Sequence, residues 1–173
     1  PDNVPADQRA QYQAELDELK AAAENERTSP KPDERVLKSG TEKATFVTSQ
    51  GTLPITLERD GAPCNTAAVT SLIENKFYDD STCHRMTTSE TLKILQCGDP
   101  TGTGMSGPGW TSPDEPPTDL QTVGQPDPTT GSQPVIYPRG TIAIANSSQG
   151  GQNPNTGSSQ LFIVINDSQL GPD

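Results

Sequence analysis

The first hydrophobic pattern along the chain is narrow and helical. Between residues 7 and 27, Tyr12, Leu16, Leu19 and Ala23 recur on one face, while Asp17, Glu18 and Glu24 keep the others hydrated. The spacing predicts a helical appendage of high intrinsic propensity over 1–27. Pro30 and Pro32 end it, because each restricts the backbone and removes a donor. Residues 28–43 read as a linker. From Ala44 the period changes. Phe46, Leu53, Ile55 and Leu57 predict two strands joined around Gln50–Gly51, with Pro54 at an edge or bulge. Helical spacing returns after Gly61, with Pro63 in the first turn and Ala68, Val69, Leu72 and Ile73 facing inward. Short strands are expected in TCHRMTTS, TLKILQCGD, RGTIAIAN and SSQLFIVIND. In the last two, Ile142, Ile144, Leu161, Ile163 and Ile165 share an inward parity, and Phe162 falls out of phase with them. The stretch 111–136, mostly Pro, Asp, Gln and Thr, reads as an irregular surface excursion.

Composition narrows the possibilities. With 173 residues, 29% of them hydrophobic, and 17 Pro and 15 Gly, the chain holds one modest core among long loops. The net charge of -11 opposes any general attraction to nucleic acid or anionic lipid. Residues 1–43 hold ten acids and seven bases, so most of the excess acidity lies in the folded part. The three cysteines, Cys64, Cys83 and Cys97, permit one disulfide and one thiol, or three thiols. With His84 alone nearby and no CxxC pair, no metal site is indicated. GDPTGTGMSGPGW has neither the order of a phosphate loop nor that of a dinucleotide loop. No signal-peptide pattern or membrane-length apolar run is found.

CHRMTTSETLKILQCGDP, RGTIAIAN and NPNTGSSQLFIVI, in this order, resemble the active-site succession of cyclophilin peptidyl-prolyl isomerases, especially the secreted or membrane-anchored actinobacterial branch. The resemblance covers 44–173. It implies a mainly β fold, an eight-stranded antiparallel barrel with capping helices and a substrate groove on the outer wall. Family members continue beyond QLGPD with a strand, a helix and a final strand, so the resemblance implies a domain incomplete at its C-terminal end. The implied activity is cis/trans interconversion of X-Pro bonds without a cofactor, in proline-containing peptides or unfolded proteins, assisting folding. The alternative is a proline-peptide-binding or scaffolding module with weak or no catalysis. An extracytoplasmic or cell-envelope location is the family expectation.

By the same resemblance Arg85 corresponds to the catalytic arginine, and Gln96 to the glutamine that holds substrate and arginine in register. Gln160 corresponds to a second groove glutamine, and Ala145 and Asn146 to the segment that pairs with the substrate backbone. Phe162 would floor the proline pocket, with Ile94 and Leu170 on its walls. Lys93 stands where many members have Phe, and Gln169 near the usual Trp, so cyclosporin-type ligands are expected to bind with reduced affinity. His84 is read as structural, because the reaction moves no proton. Cys83 and Cys97 lie at opposite ends of an expected hairpin, where a disulfide could form in an oxidising compartment.

Overall fold

The computed structural model describes residues 5, 7–129, 131–147 and 153–171. Helix α1 (Arg9–Ala23) buries none of its residues. Its exposed Asp17–Lys20 pair at 3.3 Å adds little in water. The segment that follows is nonetheless fastened to the domain. Arg27 Nη1 donates to the carbonyls of Phe77 and Asp79 at 3.0 and 2.6 Å. Ser29 N donates to Pro108 O, and the Trp110 indole donates to Ser29 O at 2.8 Å.

Strands β1 (Thr41–Thr48) and β2 (Gly51–Glu58) form a two-stranded hairpin in which Phe46 opposes Leu53 and Ala44 opposes Ile55. The Thr48 hydroxyl closes its turn on Gly51 O, and an ion pair between Arg59 and Glu42 closes its open end. Pro54 sits on a strand with one neighbour among the described residues, where its missing N–H costs the ladder little. Helix α2 (Pro63–Glu74) starts on Pro63 as its spacing predicts and buries Thr66, Ala68, Val69 and Leu72. Ala62 at its N-cap makes no side-chain cap bond. Instead Glu115 reaches back across the chain, and its carboxylate accepts from Cys64 N at 2.9 Å and Asn65 N at 2.8 Å.

The largest sheet has four antiparallel strands. They are β3 (Arg85–Thr88), β4 (Lys93–Cys97), β6 (Ile142–Ile144) and β7 (Leu161–Val164), in the order β3-β4-β7-β6. Strands β5 (Val135–Tyr137) and β8 (Ser168–Leu170) form a third, two-stranded sheet. Among the described residues, eight strands and two helices make a mainly β molecule with antiparallel pairing. The strands fall into three hydrogen-bonded sheets, and no ring closes them among the described residues.

Two departures from the local pattern matter. Residues 111–136 are largely irregular as expected, but their end becomes β5, whose Val135 and Tyr137 are buried. Those two side chains join Ile94 and Val164 in one core cluster, with Phe162, Leu170, Leu120 and Ala143 packed against it. Strand β7 is therefore covered on both faces. Val164, on the Phe162 parity, is 1% exposed, whereas Ile163 and Ile165 on the expected inward parity are only half-buried.

Candidate functional site

Register assembles the site. Arg85 pairs with Gln96, Gln96 with Phe162, and Phe162 with Ala143. Directly opposed residues project to the same face of a sheet, so one row across four strands carries a cation, an amide, an aromatic ring and a methyl group. The guanidinium is exposed, and its Nη1 donates to Gln96 Oε1 at 3.2 Å. Gln96 Nε2 donates in turn to Gln160 Oε1 at 2.9 Å. Gln160 Nε2 donates to the carbonyl oxygens of Gly104 at 2.9 Å and Ser106 at 3.3 Å.

The apolar half lies beside this row. Phe162 is half-buried and meets Tyr137 edge-on, with ring centroids 6.0 Å apart. Ile94 lies on the same face of β4 as Gln96, two residues away, but is only 4% exposed, as a member of the core cluster. Leu170 reaches the cluster from β8 and is half-buried. Lys93 does not join them. The period of two in β4 sends it to the face opposite Ile94 and Gln96, and its ammonium turns back to the Glu90 carbonyl. Gln169 is exposed on β8, with its N–H on Thr91 O.

Ala145 N donates to Gln160 O at 2.8 Å, which draws the segment after β6 alongside the glutamine. Asn146 follows, half-buried, on the wall of a cleft of about 830 Å³ between α2, β6 and the 112–120 loop. Ala143 and Ile144 line that cleft, whereas Arg85, Gln96 and Phe162 do not. A disulfide joins Cys83 to Cys97 across a Cα separation of 4.0 Å, immediately beside the Arg85 and Gln96 pair, and Cys64 is a free thiol. Burial, and then the neighbouring Glu115 carboxylate, push that thiol upward from its ordinary pKa. Both ring nitrogens of His84 are buried without a hydrogen-bond partner, and its ring lies against Gly104. No group of three or more His, Cys, Asp or Glu side chains poised for a metal occurs among the described residues.

Sequence reasoning missed Tyr137 and Asp99. Tyr137 sits at the end of a stretch with no period of its own. Asp99 had a readable signal, since Asp followed two residues later by Thr in a glycine-rich run favours a side-chain-to-backbone turn.

Comparison with known proteins identifies the family of the chain. The cyclophilin type peptidyl-prolyl cis-trans isomerase family matches residues 43–170. A probable peptidyl-prolyl cis-trans isomerase B of Mycobacterium tuberculosis is 45% identical over 127 residues, covering 73% of this chain and 39% of that protein. The one named for Mycobacterium leprae is 43% identical over 133 residues, covering 77% and 42%. The chain thus spans about two fifths of the length of these relatives. The crystal structure of a cyclophilin type peptidyl-prolyl cis-trans isomerase from Cryptosporidium parvum shares the fold, with TM-score 0.54, 24% identity and 77% coverage of each chain.

Proposed function

Because the chain belongs to the cyclophilin-type peptidyl-prolyl cis-trans isomerase family, we propose that it accelerates rotation about X-Pro bonds in extended or unfolded protein segments and so assists folding. The barrier to rotation about a peptide bond is about 18–20 kcal/mol, which keeps uncatalysed exchange slow. Twisting the bond breaks amide resonance and localises a lone pair on the prolyl nitrogen. A guanidinium held nearby donates to that nitrogen more strongly in the twisted state than in the planar one, which is preferential transition-state binding. The observation that carries this reading is the Arg85 to Gln96 hydrogen bond in the same cross-strand row as Phe162. The prolyl ring would rest on the Phe162 and Leu170 side, with the peptide backbone along Ala145 and Asn146. No bond is made or broken, so no proton donor or nucleophile is required.

The test is Arg85→Ala in an X-Pro exchange measurement on a proline-containing peptide. Removing a donor of this kind lowers the maximal rate about 10²-fold. Equal acceleration by the variant would remove Arg85 from the mechanism, and no acceleration by the wild-type chain would sink the isomerase reading and leave a peptide-binding module. The Cys83–Cys97 disulfide also supports residence in an oxidising, extracytoplasmic compartment. Thiol labelling of the protein isolated from its native cells checks this, and finding both cysteines reduced there would count against it.

A further inference from the structure

Asp99 is fully buried and accepts five hydrogen bonds. Oδ1 takes Thr101 N at 2.8 Å and the Thr101 hydroxyl at 2.7 Å. Oδ2 takes the Thr103 hydroxyl at 3.3 Å, Met105 N at 3.0 Å and Ser106 N at 3.2 Å. The 101–106 loop is thus wound around one carboxylate. Burial pushes that carboxyl's pKa upward, but the Thr101 hydroxyl and the loop N–H groups outweigh burial and hold it below the ordinary carboxylate range.

One peptide unit links this loop to the Arg85 row. Met105 N donates to Asp99, while the carbonyl of the same unit, Gly104 O, accepts from Gln160 Nε2 at 2.9 Å. A trans peptide unit is planar, and its N–H and C=O point in opposite directions. Anchoring the N–H therefore aims the carbonyl. From there the chain runs one way. A main-chain carbonyl can only accept and a guanidinium can only donate, so the orientation of both glutamine amides between them is forced. Gln160 gives its NH₂ to the loop and its oxygen to Gln96, and Gln96 gives its NH₂ to Gln160 and its oxygen to Arg85.

We propose that Asp99 is a positioning residue for Arg85. It acts through the Gly104–Met105 peptide unit and the amides of Gln160 and Gln96 to hold the exposed guanidinium in one orientation. An exposed arginine otherwise samples many rotamers, and a donor that must meet a nitrogen formed only in the twisted state loses rate when it wanders. The inference rests on the isomerase reading above and adds to it a residue that touches neither peptide nor Arg85.

The experiment compares the full wild-type chain with Asp99→Asn, Gln160→Leu and the double variant. It measures X-Pro exchange of a proline-containing peptide by NMR at varied peptide concentration, and amide hydrogen exchange at Met105 and Ser106. Asn presents an NH₂ to one set of N–H donors, so the loop lets go. Asp99→Asn should lower the maximal rate about tenfold, leave KM within about twofold, and speed amide exchange at both positions. Because the links act in series, the double variant should lose no more than Gln160→Leu alone, whereas independent damage would add. Thr103→Val, which removes a single hydroxyl donor, serves if Asp99→Asn does not fold, and should lower the maximal rate about twofold with KM unchanged. A wild-type maximal rate in whichever variant folds, or additive losses in the double variant, would overturn the positioning role while Arg85-dependent acceleration persists. Acceleration that does not depend on Arg85 overturns the positioning role alone, and a wild-type chain that does not accelerate exchange overturns the isomerase reading itself, and the positioning role with it.

Discussion

Gly98 occupies the point where β4 leaves the sheet and passes against the strand beside it. Its φ of +96° lies in the left-handed region, and a Cβ there would stand 2.3 Å from Ser159 O and 3.1 Å from Gln160 Cα. Both atoms belong to backbone that a side chain cannot push aside. Gly98→Ala is expected to destabilise the fold by about 2–3 kcal/mol, read from urea unfolding, with overpacking and the disfavoured φ acting together. The neighbouring Asp99 makes a second residue-scale prediction. Its folded-state pKa is lowered, so its contribution is present in full above the unfolded value of about 3.9 and is lost as pH falls through the folded one. The stability gap between wild type and Asp99→Asn should be flat near neutral pH and close below about pH 4, and acid titration of both proteins by circular dichroism measures it. A gap that widens in acid would contradict the direction of the shift.

At the scale of elements, α2 depends on a residue from outside its own sequence neighbourhood. No side chain caps its N-terminus locally, and the Glu115 carboxylate meets two of its free N–H groups. A carboxylate there also opposes the positive end of the helix dipole. Glu115→Ala is expected to cost about 1–2 kcal/mol in thermal or urea unfolding. Glu115→Gln should cost less, because the amide keeps one acceptor oxygen. Equal stability of all three proteins would show that water replaces the cap without loss. The same contact holds the 112–120 loop against α2, so the cap and the loop that forms one wall of the large cleft are a single structural unit.

Among the described residues, the three sheets are joined by side chains more than by continuous strand pairing. Tyr78 illustrates this, with its ring between Phe46 and Phe77 and its hydroxyl donating to Ser159 O at 3.1 Å. The Cys83–Cys97 disulfide closes a short loop, with a sequence separation of 14, directly behind the Arg85 and Gln96 pair. In the chain-entropy account, a loop of this size contributes about 3 kcal/mol by restricting the unfolded chain. The Cys83→Ser/Cys97→Ser protein should therefore unfold at a lower urea concentration by a corresponding amount. Reductant should lower the midpoint of the wild type and leave that of the variant unchanged.

The sequence by itself determined what depends on local period and local chemistry. The helical spacing and Pro63 set α2, and the Gln50–Gly51 turn set the hairpin. The ordered motifs around Arg85, Gln96 and Phe162 identified the family and the residues that meet in one row. Tertiary structure decided what depends on a distant partner. Val164 is buried and Phe162 half-buried because β5 folds back from an aperiodic stretch, and a three-residue strand has too little pattern to announce itself. Register turns Lys93 away from the row, because one step along a strand reverses a side chain's face. Glu115 meets α2, and Gln160 meets the Asp99 loop, through hydrogen bonds between residues more than fifty positions apart that only the folded chain brings together. Periodicity is written into neighbouring residues, whereas the choice of partner is made by the packed chain, and the orientation of Arg85 belongs to the second kind.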